Sequence, residues 1–249
     1  MNEGRIAFRG RGLTALGFWI AAGLVVSSFL VTRSVENIRL RDKRIRVKGF
    51  AERRITSDVA VWRGSFTAQN AALTSAYVQL QDDLGKILRY LEGSGITRKD
   101  VRVSSVTTRV QYKVTDKGVK LNEIEGYELE QSIEISSPDV ALIDRLSEES
   151  TSLIKEGVPF ASQSPEYYYA QIDALKIELL GEATRNAKQR AEQLAKNSGS
   201  EVGVLTSADQ GIFQITPVHS TEVSDSGTYD TTTIEKSIKA VVTMEFAIR

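Results

Sequence analysis

The sequence contains no cysteine and a single histidine, His219. The first absence excludes a disulfide framework, a thiolate zinc site, an iron–sulfur cluster and a cysteine nucleophile. It leaves the redox compartment open, because an envelope protein can also dispense with cysteine. The scarcity of histidine removes the imidazole clusters that hold many transition metals, so no cofactor or metal is expected and His219 reads as a polar loop residue. No serine lies in a G-x-S-x-G setting. Gly10-Arg11-Gly12 with Gly17 imitates part of a dinucleotide fingerprint, but no strand precedes it.

Net charge is absent too: 32 Lys+Arg balance 32 Asp+Glu over 249 residues. The balance hides a segregation, since residues 1–54 carry 12 basic against 4 acidic side chains and the remainder 20 against 28. An acidic body lacks the clustered cations that replace counterions on a phosphate backbone, so no nucleic-acid partner is expected.

The basic segment brackets an uncharged run, Leu13–Val31. As a helix its 19 residues reach about 28 Å, close to the ~30 Å hydrocarbon thickness of a bilayer. Apolar residues cover every face, which disfavours a buried soluble helix. Arg5, Arg9 and Arg11 before it also suit a cleaved signal, yet the run ends Ser28-Phe29-Leu30-Val31-Thr32-Arg33 without an A-x-A-like site, so an uncleaved signal anchor is favoured. The expected layout is a short basic tail over 1–12, a transmembrane anchor over 13–31, a basic juxtamembrane stalk over 32–43 and a folded domain over 44–249. Orientation is contested. Counting Lys and Arg beside the run puts the large domain in the cytoplasm, whereas the order of basic segment, apolar run and long domain is that of a translocated one. The basic flank also suits contact with anionic membrane lipid, or simply a solvated stalk.

Beyond residue 44 the apolar period becomes two. Ile45 to Phe66 alternates around Thr56-Ser57-Asp58 and reads as a β-hairpin. Leu73 to Leu91 repeats at three and four, a helix ended by Gly93-Ser94-Gly95. A second long hairpin follows, with amphipathic arms near Val101–Thr115 and Leu121–Ser136 about Asp116-Lys117-Gly118. Pro138-Asp139 opens a helix that Gly157 closes, and Val158–Tyr169 reads as a strand. The longest helical pattern runs from Ile172 to Asn197 on a face that narrows to alanine, permitting close packing. Strands follow near Val202 and Ile212, then a polar loop over Thr216–Thr232. The chain ends on an alternating strand whose Ile234, Ile238 and Val242 should be paired in a sheet. The fold class is α+β: mostly antiparallel sheets with three packed helices, preceded by one transmembrane helix.

Chemistry is harder to find. Asp82-Asp83, Glu148-Glu149 and Glu123 with Glu125 offer paired carboxylates for a hydrolase or a cation, but their helical and hairpin settings favour solvated faces. Tyr167-Tyr168-Tyr169 in a strand puts rings on both faces, so at least one ring is expected outside the core, where tyrosine suits an interface. These three residues and Ile234, Ile238 and Val242 of the terminal strand are the candidate contacts of a homo-oligomer.

Several ordered segments carry a family resemblance: Val47-Lys48-Gly49-Phe50-Ala51-Glu52 with Ser57-Asp58; Gly95-Ile96 with Lys99-Asp100-Val101; Gly126-Tyr127; Gly157-Val158-Pro159-Phe160; and Ala183, Ala187, Arg190-Ala191, Leu194-Ala195, Gly199 and Val202-Gly203. Over about residues 44–249 the chain resembles the SIMPL-domain proteins, which include bacterial periplasmic immunogenic proteins. It departs from their pattern before Asp58, where a proline is common, and in its retained apolar anchor. The resemblance implies a self-associating envelope domain without an established catalytic centre, linked to stress tolerance. It thereby favours a single-pass inner-membrane protein whose main domain is periplasmic. The competing expectation is a periplasmic small-ligand-binding domain or a carboxylate-dependent hydrolase.

Overall fold

A computed structural model describes residues 19–30, 43–222 and 224–249. Residues 19–30 are helical. The remainder of the expected 13–31 span, the 1–12 tail and nearly all of the 32–43 stalk lie outside the described residues. Among the described residues no helix is long and apolar enough to cross a membrane.

The body is α+β and its strand pairings are predominantly antiparallel. The chain groups into two units. The larger consists of Glu52–Leu179 with Ile212–Ala240. Here β2 (Val59–Asn70) pairs along its length with β5 (Lys120–Ser137), from Ala60 opposite Ser137 to Asn70 opposite Tyr127. On its other side β2 receives β6 (Phe160–Ser162) and β7 (Glu166–Tyr168), while β3 (Val101–Val103) and β4 (Thr107–Val114) pair with β5.

Helix α1 (Leu73–Gly93) buries Ala76, Leu80, Asp83, Ile87 and Leu91, one side of a 3.6-residue period. It ends where Gly95 takes φ +94° and Ile96 N–H bonds back to Leu91 O at 2.9 Å, a left-handed termination that favours glycine. Asp139 caps α2 (Val140–Glu149) by accepting Leu142 N–H at 2.9 Å. A 3-10 segment then carries the chain to Gly157. Trp62, Phe66, Ile133, Ile135, Ile143 and Leu146 fill the core, each full side-chain burial contributing roughly 1.5–3 kcal/mol.

The expected first hairpin does not form. β1 (Arg44–Thr56) belongs to one sheet and β2 to the other. At the junction Ser57 N–H bonds to Ile234 O and Asp58 N–H to Tyr168 O, both at 2.9 Å, so the chain passes between sheets instead of reversing. The expected Val158–Tyr169 strand is likewise divided, into β6 and β7. In this unit β11 (Glu235–Ile248) pairs through residues 236–239 with β9 (Gln214–Pro217), and β10 (Thr228–Tyr229) extends β9 in parallel.

The smaller unit contains the described residues up to Ala51, Leu180–Gly211 and Val241–Arg249. The last strand pairs antiparallel with β8 (Val202–Gln210), and Ile248 N–H bonds to Lys43 O at 3.0 Å. Within this unit α3 (Ile172–Asn197) turns Ala183, Ala187, Ala191 and Ala195 inward. The methyl-only face lets β1 approach so closely that a Cβ on Gly49 would stand 2.1 Å from Ala183 O and 2.5 Å from Ala187 N. No side chain other than hydrogen fits there without displacing backbone.

Candidate functional site

The structure accommodates the expected contact residues within its own fold. Tyr167 is buried opposite Ala60, and its hydroxyl donates to Asp144 at 2.6 Å. Burial, followed by this carboxylate, pushes the phenol well above its ordinary range. Tyr168 is half-buried, donates to Glu166 at 2.9 Å and lies 6.5 Å from the Tyr229 ring. Tyr169 is half-buried. Ile234 packs against the core, while Ile238 and Val242 are 0% and 4% exposed. Their strand has β1 on one side and β8 or β9 on the other, so it presents no open edge.

Around Tyr168, Arg63 donates to Glu134 at 2.7 Å and Glu166 at 2.8 Å. That guanidinium, with the Tyr168 hydroxyl, holds the Glu166 carboxyl below its usual range. A more enclosed pair sits at Asp230 and Lys236, 3.4 Å apart with side chains 6% and 2% exposed. Asp230 also accepts from Thr232, Thr233 and the Thr232 N–H. Burial opposes ionisation of both partners. For Asp230 the surrounding donors prevail and its pKa is lowered; for Lys236 burial prevails and its pKa is lowered too. The first arrangement ties together the strands β2, β5 and β7, and the second fastens the loop at Asp230 to β11.

The carboxylate pairs do not converge. Asp82 and Asp83 share Lys86, at 3.1 and 3.2 Å, with Asp83 fully buried and also accepting from Gln79. Glu123 pairs with Lys113, and Glu148 and Glu149 are exposed. Among the described residues no three His, Cys, Asp or Glu side chains gather as a metal site. His219 is exposed, at φ +70°.

What stands open is the distal half of the second hairpin. Strand β2 stops at Asn70 opposite Tyr127, so residues 120–126 of β5 pair only with β4. This two-stranded ribbon extends about 20 Å and has two unlike faces. Alternation along β4 places Val110, Tyr112 and Val114 on one side, and register shifts on either side of Tyr112 bring Ile124 opposite it. All four are at least 40% exposed. On the other side Arg109 pairs with Glu128 and Glu130 at 3.3 and 2.9 Å, and Lys113 with Glu123 at 2.9 Å. The apolar face continues the core side of the sheet, because Val110 stands opposite Tyr127, which packs against the core. Sequence reading identified amphipathic arms but not this site. The signal was length: the hairpin arms outrun the strand beside them.

A family model, SIMPL, described as "Protein of unknown function (DUF541)", matches residues 45–246. The chain belongs to the SIMPL family. The SIMPL match takes in β2 to β10 and nearly all of β1 and β11, and so includes the ribbon. No curated protein matches the chain.

Proposed function

We propose that this SIMPL protein is a non-enzymatic, membrane-anchored envelope protein that self-assembles through its folded domain, in service of envelope stress tolerance. The observation that carries the reading is the ribbon of β4 and β5. A two-stranded hairpin is marginal alone in water, and here its apolar face, Val110, Tyr112, Val114 and Ile124, has no cover within the described chain. Apposing the same face of a second copy buries both and leaves the Arg109 and Lys113 ion pairs in solvent. Anchoring raises effective concentration and lets a modest interface associate.

Support for the anchor comes from the uncharged run Leu13–Val31, of which residues 19–30 are helical with Trp19, Leu24 and Val25 largely exposed. Support for the periplasmic side of the inner membrane comes from the layout of the chain and from the resemblance to envelope proteins, against the count of flanking cations.

A single cysteine introduced as Ile124→Cys, in a chain that otherwise has none, tests the interface in membranes. Oxidation is expected to give a disulfide-linked pair; cross-linking no greater than that of an exposed control such as Glu156→Cys argues against it. Protease protection tests the topology. Digestion of the domain only after the inner membrane is opened contradicts the periplasmic placement, and a mature chain beginning after Val31 contradicts retention of the anchor.

A further inference from the structure

Unlike the ion-paired ribbon, one basic surface lacks acidic partners. Along β1, Arg46 and Lys48 border a groove of about 620 Å³ completed by Asn186, Gln189, Arg190, Gln193 and Leu194 of α3. Three lining residues are cations and none is acidic, and none of the three cations makes an ion pair with a carboxylate among the described residues. A neighbouring groove differs in this respect, since Lys188 and Lys196 share it with Glu192 and Glu201.

The packing of Gly49 against Ala183 and Ala187 brings strand and helix this close. Asn186 Oδ1 accepts Phe50 N–H at 3.1 Å. Arg190 donates to Lys48 O at 3.3 Å, and its guanidinium carbon stands 6.0 Å from the Phe50 ring centroid. The guanidinium is thereby positioned through one terminal nitrogen, while the rest of its planar fork has no hydrogen-bond partner among the described residues, the geometry that suits two oxygens of a phosphate. Exposed Leu194 supplies an apolar border. In sequence, Arg46 lies 15 residues beyond Val31, so even a fully extended connection reaches only about 50 Å. The intervening stretch carries Arg33, Arg39, Arg41, Lys43 and Arg44 against Glu36 and Asp42, a positive excess, although Arg44 pairs with Glu245 at 3.5 Å.

We propose that the groove bordered by Arg46, Lys48 and Arg190 binds the phosphate of an anionic phospholipid headgroup in the membrane that carries the chain, holding this part of the domain at the bilayer surface. The inference rests on the anchored reading above and adds a ligand to it. Phosphate supplies the negative charge the groove lacks, and the lipid's glycerol and upper acyl carbons meet Leu194.

The test uses the full chain with Gln193→Cys carrying a fluorophore, a unique label in a chain without cysteine. It is reconstituted in phosphatidylglycerol or phosphatidylcholine vesicles, each containing a small fraction of lipid with a nitroxide high on the acyl chain. Quenching is expected in phosphatidylglycerol, not in phosphatidylcholine, and is expected to be lost in the Arg46→Gln/Lys48→Gln variant. These exposed side chains are replaced in preference to Arg190, which packs on Phe50, and an unchanged melting temperature verifies the fold. If the variant melts early, Arg46→Gln alone takes its place. Co-flotation with neither vesicle overturns the anchor and this proposal with it. Co-flotation with both but equal quenching, or none, overturns the groove and leaves the anchor standing. Protection of the label by inorganic phosphate without lipid quenching also overturns it, in favour of a free phosphate ligand.

Discussion

Tyr112 of β4 stands directly opposite Ile124 of β5, and the two are 40% and 50% exposed. In a sheet interior such a cross-strand aromatic–aliphatic pair contributes roughly 0.2–1 kcal/mol. Here it sits on a ribbon with an uncovered face, so most of its apolar surface remains in water. Replacing both by serine is therefore expected to change the stability of a single chain by little more than about 0.5–1 kcal/mol. It is expected to remove association. Urea melts beside sedimentation separate the two effects, and a large loss of stability would show the pair to be part of the monomer's core.

Gly49→Ala is expected to destabilise by at least about 1–3 kcal/mol, the range for overpacking, because the added methyl meets Ala183 O and Ala187 N, which are backbone and cannot swing aside. Ala183→Gly in the same chain should recover little, since it removes a methyl without moving that carbonyl. Chemical denaturation checks both.

The Asp230–Lys236 pair predicts a non-additive cycle. Asp230→Asn leaves a buried ammonium without its counter-charge and is expected to cost about 3–5 kcal/mol, as is Lys236→Met, whereas the double variant should recover much of the loss. The pH dependence follows from the directions of the shifts. Asp230 titrates lower in the folded chain, so its contribution is present above the unfolded value near pH 4 and is lost as pH falls through the folded one. Lys236 is also lowered, so the folded state releases its proton first and stability rises with pH between the folded value and about 10.4. Stability of the Asp230→Asn variant that falls in acid as steeply as wild type would contradict the first assignment.

Tyr167→Phe should cost roughly 1.5–3 kcal/mol, the range for a hydrogen bond to a charged group, with no change in assembly mass. Tyr168→Phe should cost less, because its carboxylate partner Glu166 keeps Arg63 and is partly solvated. Thermal melts beside a mass measurement decide this. A fall in mass for either variant returns the tyrosine segment to the interface.

Where local pattern and final environment agree, the fold was legible. The apolar stripe of α1, the cap at Asp139, the stop at Gly157 and the alanine face of α3 all follow from nearest neighbours in the sequence. What distant segments decide was not. Thr56-Ser57-Asp58 has turn chemistry, but whether a strand reverses or crosses there depends on Ile234 and Tyr168, more than 100 residues away. The three tyrosines illustrate the same limit. Alternation required that their rings alternate in direction, but not that Asp144 would take the hydroxyl of Tyr167 or that Tyr229 would lie near Tyr168. The ribbon was half legible: its amphipathic arms were visible, but its missing neighbour depends on where β2 ends.

Assembly through the ribbon is decided by the mass of the whole chain in mild detergent, measured by light scattering for wild type and for Tyr112→Ser/Ile124→Ser. Wild type is expected at a multiple of the 27.5 kDa chain mass, and the variant at a single chain's mass with a melting temperature lowered by only a few degrees. A wild-type protein that stays at one chain's mass at high concentration, and yields no Ile124→Cys cross-link above the control in membranes, would contradict it.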